Sequence, residues 1–310
     1  MKIFSILMLG GGKRVSLAEH FMESGKELNL QIRIYSYDLI AEQPICVIGK
    51  VFVGKEWDDP SLIEDLTELI KTEDFNLVIA NVDPATKILP QLARKFPDKI
   101  ISSDFEATTI CHSKELFNEF GALHALPVIP LAKYGKFPYF AKPIFGSASK
   151  NARVINSPGE ESQVFGRDDL IIQEYIEGDE FTVDAYVRKS GEVFGISPRI
   201  RISTSGGESV VSQIVDDEEI IASTRQTLSS MNLKGPITVQ FIRRKVDQKL
   251  FLMEINPRFG GGVPLSLAAG YKFTTAMVGD IAGVAVEKPS KVRHLLMKRY
   301  FKEAYFEIDN

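Results

Sequence analysis

An α/β unit built on a parallel sheet, followed by an antiparallel α+β unit, is the fold class this chain predicts. Two observations lead there. Up to about residue 100, apolar strand-like runs alternate with amphipathic segments of helical spacing, the βαβ rhythm of a parallel sheet. From about residue 137, short strands follow one another across turns, so antiparallel pairing takes over.

The elements justify this in order. "IFSILML" (3–9) reads as a buried strand, "RVSLAEHFMESG" has helical spacing, and "QIRIYSY" (31–37) is a second strand. "PSLIEDLTELIK" (60–71) sets Leu62, Ile63, Leu66, Leu69 and Ile70 on one helical stripe behind an Asp-Asp-Pro start. "NLVIAN" is another buried strand, and Asp83-Pro84 opens the helix "ATKILPQLARKF". Then come "YFAKPIF", "ARVI", "LIIQEYI", "EFTVDAYVR", "EVFGISP" and "ESVVSQIV" as strands. A helix follows from Asp216 to about Met231, with acidic residues in its first turn where the helix dipole favours them. "ITVQFIRR" and "KLFLMEIN", joined by "KVDQ", form a hairpin.

At 310 residues the chain has room for two or three compact units, and 44% apolar and 25% charged residues are ordinary for a globular protein. A net charge of -4 gives no basic excess of the kind that announces a nucleic-acid partner. Cys46 and Cys111 belong to no zinc-type cluster, which suits a reducing cytoplasm. The apolar start breaks at glycine too early to span a membrane and lacks a cleavage site, so neither a membrane role nor a leader is expected.

The hairpin is the most informative stretch. Glu254 and Asn256, two apart on a strand, project from one face. If the turn is centred near Asp247, Gln240 sits opposite Glu254. Three oxygen-bearing side chains on an otherwise apolar surface are costly to bury unsatisfied, and a hard cation such as magnesium would satisfy them. Arg258, just beyond, has the planar fork that grips phosphate or carboxylate. Gly260, Gly261 and Gly262 would let backbone approach an anion, or form a plain turn.

Upstream, Lys142 ends a strand before the small-residue loop "FGSAS", whose backbone N–H groups and Ser147 and Ser149 hydroxyls can wrap phosphate. The spacing is not that of a Walker loop. "QEYIEGDE" breaks between two strands, exposing backbone groups at Glu174, Tyr175 and Ile176 suited to an adenine edge, with Glu180 placed to accept from ribose hydroxyls. Arg199 and Arg201 share a strand face and are candidates for holding a substrate carboxylate or the γ-phosphate.

Taken in order, Ser113-Lys114, Lys142 with its loop, "QEYIEGDEFTVD", Gln240 and "EINPRFGGG" make the chain resemble the ATP-grasp superfamily, in particular a synthetase unit of the carbamoyl phosphate synthetase large subunit. The resemblance implies a Rossmann-like pre-ATP-grasp domain (1–110), a lid lobe (111–178), a larger lobe with the metal site (179–290) and a C-terminal tail (291–310). It implies ATP and one or two magnesium ions, with manganese compatible, held by Gln240, Glu254 and Asn256. Lys114 and Lys142 would contact phosphates, Glu174 and Ile176 adenine, and Glu180 ribose. Arg258 would face the transferred phosphoryl group. The implied activity is an ADP-forming ligase joining a small carboxylate to an amine or thiol. A homo-oligomer is compatible with it, and the alternative is a nucleotide-binding regulatory protein of the same fold without turnover.

Two departures stand out. The loop "GSASKNARV" lacks the further glycine usual after the serines, and "FGGGVPLSLAAG" replaces the Ser-Arg-Ser run of carbamoyl phosphate synthetase, against the full carbamoyl phosphate reaction. A nicotinamide-dependent oxidoreductase is disfavoured, because Lys13, Arg14 and Val15 follow Gly12 where the dinucleotide fingerprint needs another spacing.

Overall fold

The computed structural model of the chain describes residues 1–146 and 151–307. Strands β1 (Lys2–Leu9), β2 (Leu30–Asp38), β3 (Gly49–Val53) and β4 (Leu77–Ala80) form a parallel sheet in the order β3-β2-β1-β4. Alternate side chains of β1 leave on opposite faces. Ile6 and Met8 pack with Leu17 and Phe21 of helix α1 (Val15–Glu27), while Leu7 and Leu9 join a separate core. That second core holds Leu62, Leu66 and Ile70 of α2 (Leu62–Thr72) and Leu89 of α3 (Asp83–Lys95). Burial on both faces is why β1 and β4 read as continuous apolar runs.

Asp104 caps helix α4 (Phe105–His112) and Ser113 caps α5 (Lys114–Leu123), each accepting from a backbone N–H three residues on. Both helices lie against the large sheet described below: Ala107, Phe117 and Leu126 share one core with Val239, Leu252 and Ile255. A division of the chain at residue 110 therefore cuts through this core. The small sheet consists of β5 (Tyr139–Pro143), β6 (Arg153–Ile155) and β7 (Leu170–Glu174) in the order β6-β5-β7, with the single turn α6 (Pro158–Glu161) beside it.

Six strands form the large antiparallel sheet: β8 (Gly178–Val187), β9 (Val193–Ser205), β10 (Glu208–Ile214), β11 (Gly235–Arg244), β12 (Leu250–Asn256) and β13 (Leu296–Lys298). Their order is β12-β11-β8-β9-β10-β13. Helix α7 (Glu218–Ser230) starts at Asp217, whose carboxylate accepts from the Ile220 N–H at 3.0 Å. Helices α8 (Val263–Ala268) and α9 (Phe273–Ala282) sit between the large sheet and α1, so Tyr186, Phe194 and Phe273 share a core with β1. The tail is thus no mere appendage, since β13 pairs with β10 through Val211, Ser212 and Gln213. At the other rim, Leu252 N–H bonds to the Pro127 carbonyl at 2.7 Å, and Val128 bridges to Leu252. No described helix is long and apolar enough to cross a membrane.

Candidate active site

The β11–β12 hairpin puts Gln240 directly opposite Glu254, the register that symmetry about Asp247 requires, with a bulge just after Gln240. Asn256 shares their face. The amides of Gln240 and Asn256 (3.0 Å) both donate to the same oxygen, Glu254 Oε1. The trio is therefore in mutual contact and half-buried. Among the described residues no three His, Cys, Asp or Glu side chains gather to hold a metal. One carboxylate with two amide oxygens is nonetheless a hard-oxygen set that fits magnesium, an ion commonly held by one or two carboxylates with phosphate oxygens completing its shell.

Two lysines lie close enough to this trio to interact with Glu254. Lys142, at the end of β5, is buried, and burial pushes its ammonium down to about 8. Glu254 acts to restore the charge, while Lys114 opposes it. Lys114 is likewise lowered by burial, with Glu254 and Asp83 acting to raise it, and its Nζ donates to the Gly146 carbonyl at 2.7 Å. Two half-desolvated ammoniums around one carboxylate leave positive charge for an anionic ligand to neutralise. Ser147 and Ser149, expected on the phosphate loop, lie outside the described residues.

A cavity of about 450 Å³ opens beside the trio. The large sheet supplies Gln240, Glu254, Asn256, Arg258, Arg199 and Arg201, and Lys114 and His112 come from the paired helices. Arg258 does not stand alone at the strand end: its Nε donates to Asp83 Oδ1 at 2.5 Å, tying the large sheet to the start of α3. Arg199, 2% exposed, lays its fork on Asp184 (Nε to Oδ2, 2.9 Å) and donates to Ser209 Oγ at 3.2 Å. Its charge is answered from within the fold. Arg201 donates to Glu180 Oε2 at 2.7 Å and to Gln240 Oε1 at 3.2 Å, joining two residues expected to serve ribose and metal.

The glycine run serves these ions. A Cβ on Gly262 would stand 2.5 Å from the Arg199 guanidinium carbon, and one on Gly261 2.7 Å from the Glu208 carboxyl carbon. At Gly262 the neighbour is the buried, anchored Arg199, and its close approach favours glycine there. Glu208 in turn bridges Arg14 (3.1 Å) and Arg299 (3.2 Å).

Glu174, Tyr175 and Ile176 sit at the passage from β7 to β8, away from the cavity lining. Ile176 is buried in a small core with Ile129, Ile242 and Phe251, and Tyr175 is exposed. Sequence reading gave no site role to Arg14, Asn81 and Lys87 beside the parallel sheet or to His112 at the end of α4, and noted Asp83 only as a helix opener. A signal was available, because the ends of β1 and β4 are where ligands meet open α/β sheets. His112 is held neutral, burial pushing its imidazole down to about 4, and its Nε2 lies 2.7 Å from Thr86 Oγ1.

Comparison with known proteins bears on the fold that carries this site. Residues 166–304 match the family described as "ATP-grasp in the biosynthetic pathway with Ter operon". A 3-methyl-D-ornithine–L-lysine ligase of Methanosarcina acetivorans is 26% identical over 206 residues, covering 66% of this chain and 54% of that protein. The chain spans about half the length of the curated relatives it matches. Among solved structures, N5-carboxyaminoimidazole synthetase from Staphylococcus aureus superposes with a TM-score of 0.72 at 14% identity, covering 95% of this chain and 81% of that one. An L-amino acid ligase from Bacillus licheniformis gives 0.69 at 16% identity, over 91% and 74%. A parallel N-terminal sheet, a small three-stranded sheet and a large antiparallel sheet make up the fold the chain shares with these structures, and its residues 166–304 match an ATP-grasp family.

Proposed function

We propose that the chain is an ATP-dependent ligase that phosphorylates a substrate carboxylate and passes the acyl group to an amine, releasing ADP and phosphate. The observation behind this reading is the contact of Gln240, Glu254 and Asn256 on one sheet face, with Lys114 and Lys142 acting electrostatically on Glu254. Attack of a carboxylate oxygen on the γ-phosphorus brings two anions together while the bond to the bridging oxygen breaks and charge moves to ADP. Lys142 and Lys114 hold the phosphates and offset that charge. Glu254, Gln240 and Asn256 would hold magnesium, which supplies further neutralisation of the phosphates when bound. Arg258, anchored on Asp83, orients the acyl phosphate, and the amine then attacks its carbonyl carbon, expelling phosphate. Enclosure between three parts of the chain keeps water from the acyl phosphate.

Glu174, Tyr175 and Ile176 are assigned to adenine and Glu180 to ribose. The relatives named as ligases of amino acids support a carboxylate–amine reaction. One observation favours the second reading, a nucleotide-binding protein without turnover: Arg201 already occupies Glu180 and Gln240. Incubation with magnesium, ATP and a panel of carboxylates and amines decides between them. ADP and phosphate released with a coupled product support the ligase, ATP binding without release supports the second reading, and AMP formation refutes the mechanism. Glu254→Ala should weaken MgADP binding at least about tenfold, the loss of one charged interaction; unchanged affinity would remove the metal assignment.

A further inference from the structure

The N-terminal wall of the cavity lies at the carboxyl ends of β1 and β4, adjacent strands in the order β3-β2-β1-β4. Asn81, the residue after β4, lines this wall, is 1% exposed, and has neither its amide nitrogen nor its amide oxygen hydrogen-bonded among the described residues. Leaving a buried polar group unpaired costs about 1–3 kcal/mol, so such a pair of orphans asks for an explanation. One side chain here offers a donor and an acceptor together.

The charges around it are of both signs. Arg14, Lys87 and Arg258 bring cations, and Asp83 and Glu208 bring carboxylates. Burial, and then the guanidiniums of Arg258 and Arg299, act against the charge of Arg14, with Glu208 acting for it. Lys87, exposed on α3, forms no ion pair among the described residues. A purely anionic group such as phosphate would meet Asp83 and Glu208 unfavourably, and a plain amine would leave Lys87 without an anion, since Arg14 already pairs with Glu208 and Arg258 with Asp83. A carboxylate beside an ammonium answers both.

We propose that this wall binds the α-amino-acid head group of one substrate: its carboxylate toward Lys87, Arg14 and the Asn81 amide N–H, its ammonium toward Asp83 and the Asn81 amide oxygen. The proposal rests on the ligase reading for the reaction served, and it places recognition of the head group apart from the phosphates near Lys114, Lys142 and Glu254.

The test is equilibrium binding to the full chain saturated with MgADP, using a panel of L- and D-α-amino acids, each beside its decarboxylated amine. At least one amino acid should bind, with its decarboxylated counterpart weaker by at least about tenfold, as expected for one lost charge-assisted contact. Asn81→Ala and Lys87→Met should each reduce that preference. Lys87 is exposed, so its variant keeps the fold, and thermal melting together with MgADP affinity verifies this for both. If MgADP binds while no amino acid does, or while amino acid and amine bind equally, the inference is overturned and the ligase reading stands. If MgADP itself does not bind, both are overturned.

Discussion

Arg199 and Arg201 stand two residues apart on β9 and share a face, yet they belong to different regions of the site. At Arg199 the sheet is closed. Asp184, Ser209 and the glycine backbone at 262 surround the guanidinium, and both members of the ion pair are 2% exposed. At Arg201 the sheet opens: the arginine is 11% and its partner Glu180 41% exposed. Equal spacing along a strand therefore produces one arginine that holds the fold and one whose partners, Glu180 and Gln240, are the residues proposed for ribose and metal. Burial decides the role, and burial is set by segments distant in sequence.

The sharpest way to break this comparison is Asp184→Ala. It strands a buried guanidinium, and stability measured by chemical denaturation should fall by about 3–5 kcal/mol; a loss near zero would mean that Arg199 finds water. Next comes Lys142, whose ammonium is lowered to about 8 by burial. Since phosphates bind the protonated form, MgADP affinity should decline as pH rises above about 8, approaching tenfold per pH unit, and Lys142→Met should bind more weakly but without that slope. A titration series from pH 7 to 9.5 checks both.

His112 provides a smaller effect of the opposite sense. Its folded value, about 4, lies below the ordinary 6.5, so between these the unfolded chain takes up the proton first. The contribution of neutral His112 is fully present above pH 6.5 and is lost as pH falls toward 4. His112→Gln should flatten that limb of the melting-temperature profile. The least change is expected from Arg201→Ala: its pair is partly exposed, so stability should move by no more than about 1 kcal/mol. Nucleotide affinity, measured by titration, should rise or hold as Glu180 and Gln240 are released. A stability loss as large as that of Asp184→Ala would erase the distinction between the two arginines.

Much of this could be read from residue order. Symmetry about Asp247 places Gln240 against Glu254, and the acidic start at 216–219 marks α7. Local rules suffice there, because a hairpin and a capped helix are decided by nearby residues. The partner of a buried face is another matter. Phe117 of α5 is buried against β11 and β12, a partner that residue order does not name. Likewise Arg199 is set apart from Arg201 by Asp184, Ser209 and Gly262, which tertiary packing delivers. Asn81 and Lys87 carry no motif. Their place at a sheet end gives them meaning only once that sheet faces the hairpin. The three residues of β13 are too few to show alternation.

That short strand has a practical consequence. Leu296–Lys298 forms a three-residue edge strand beside β10, and Pro127–Val128 meets β12 at Leu252. A long bare border of amides, on which a foreign chain could template itself, is cut short at both rims. A shortened chain ending before Leu296 would expose one such border, and its signature in light scattering would be self-association that grows with protein concentration.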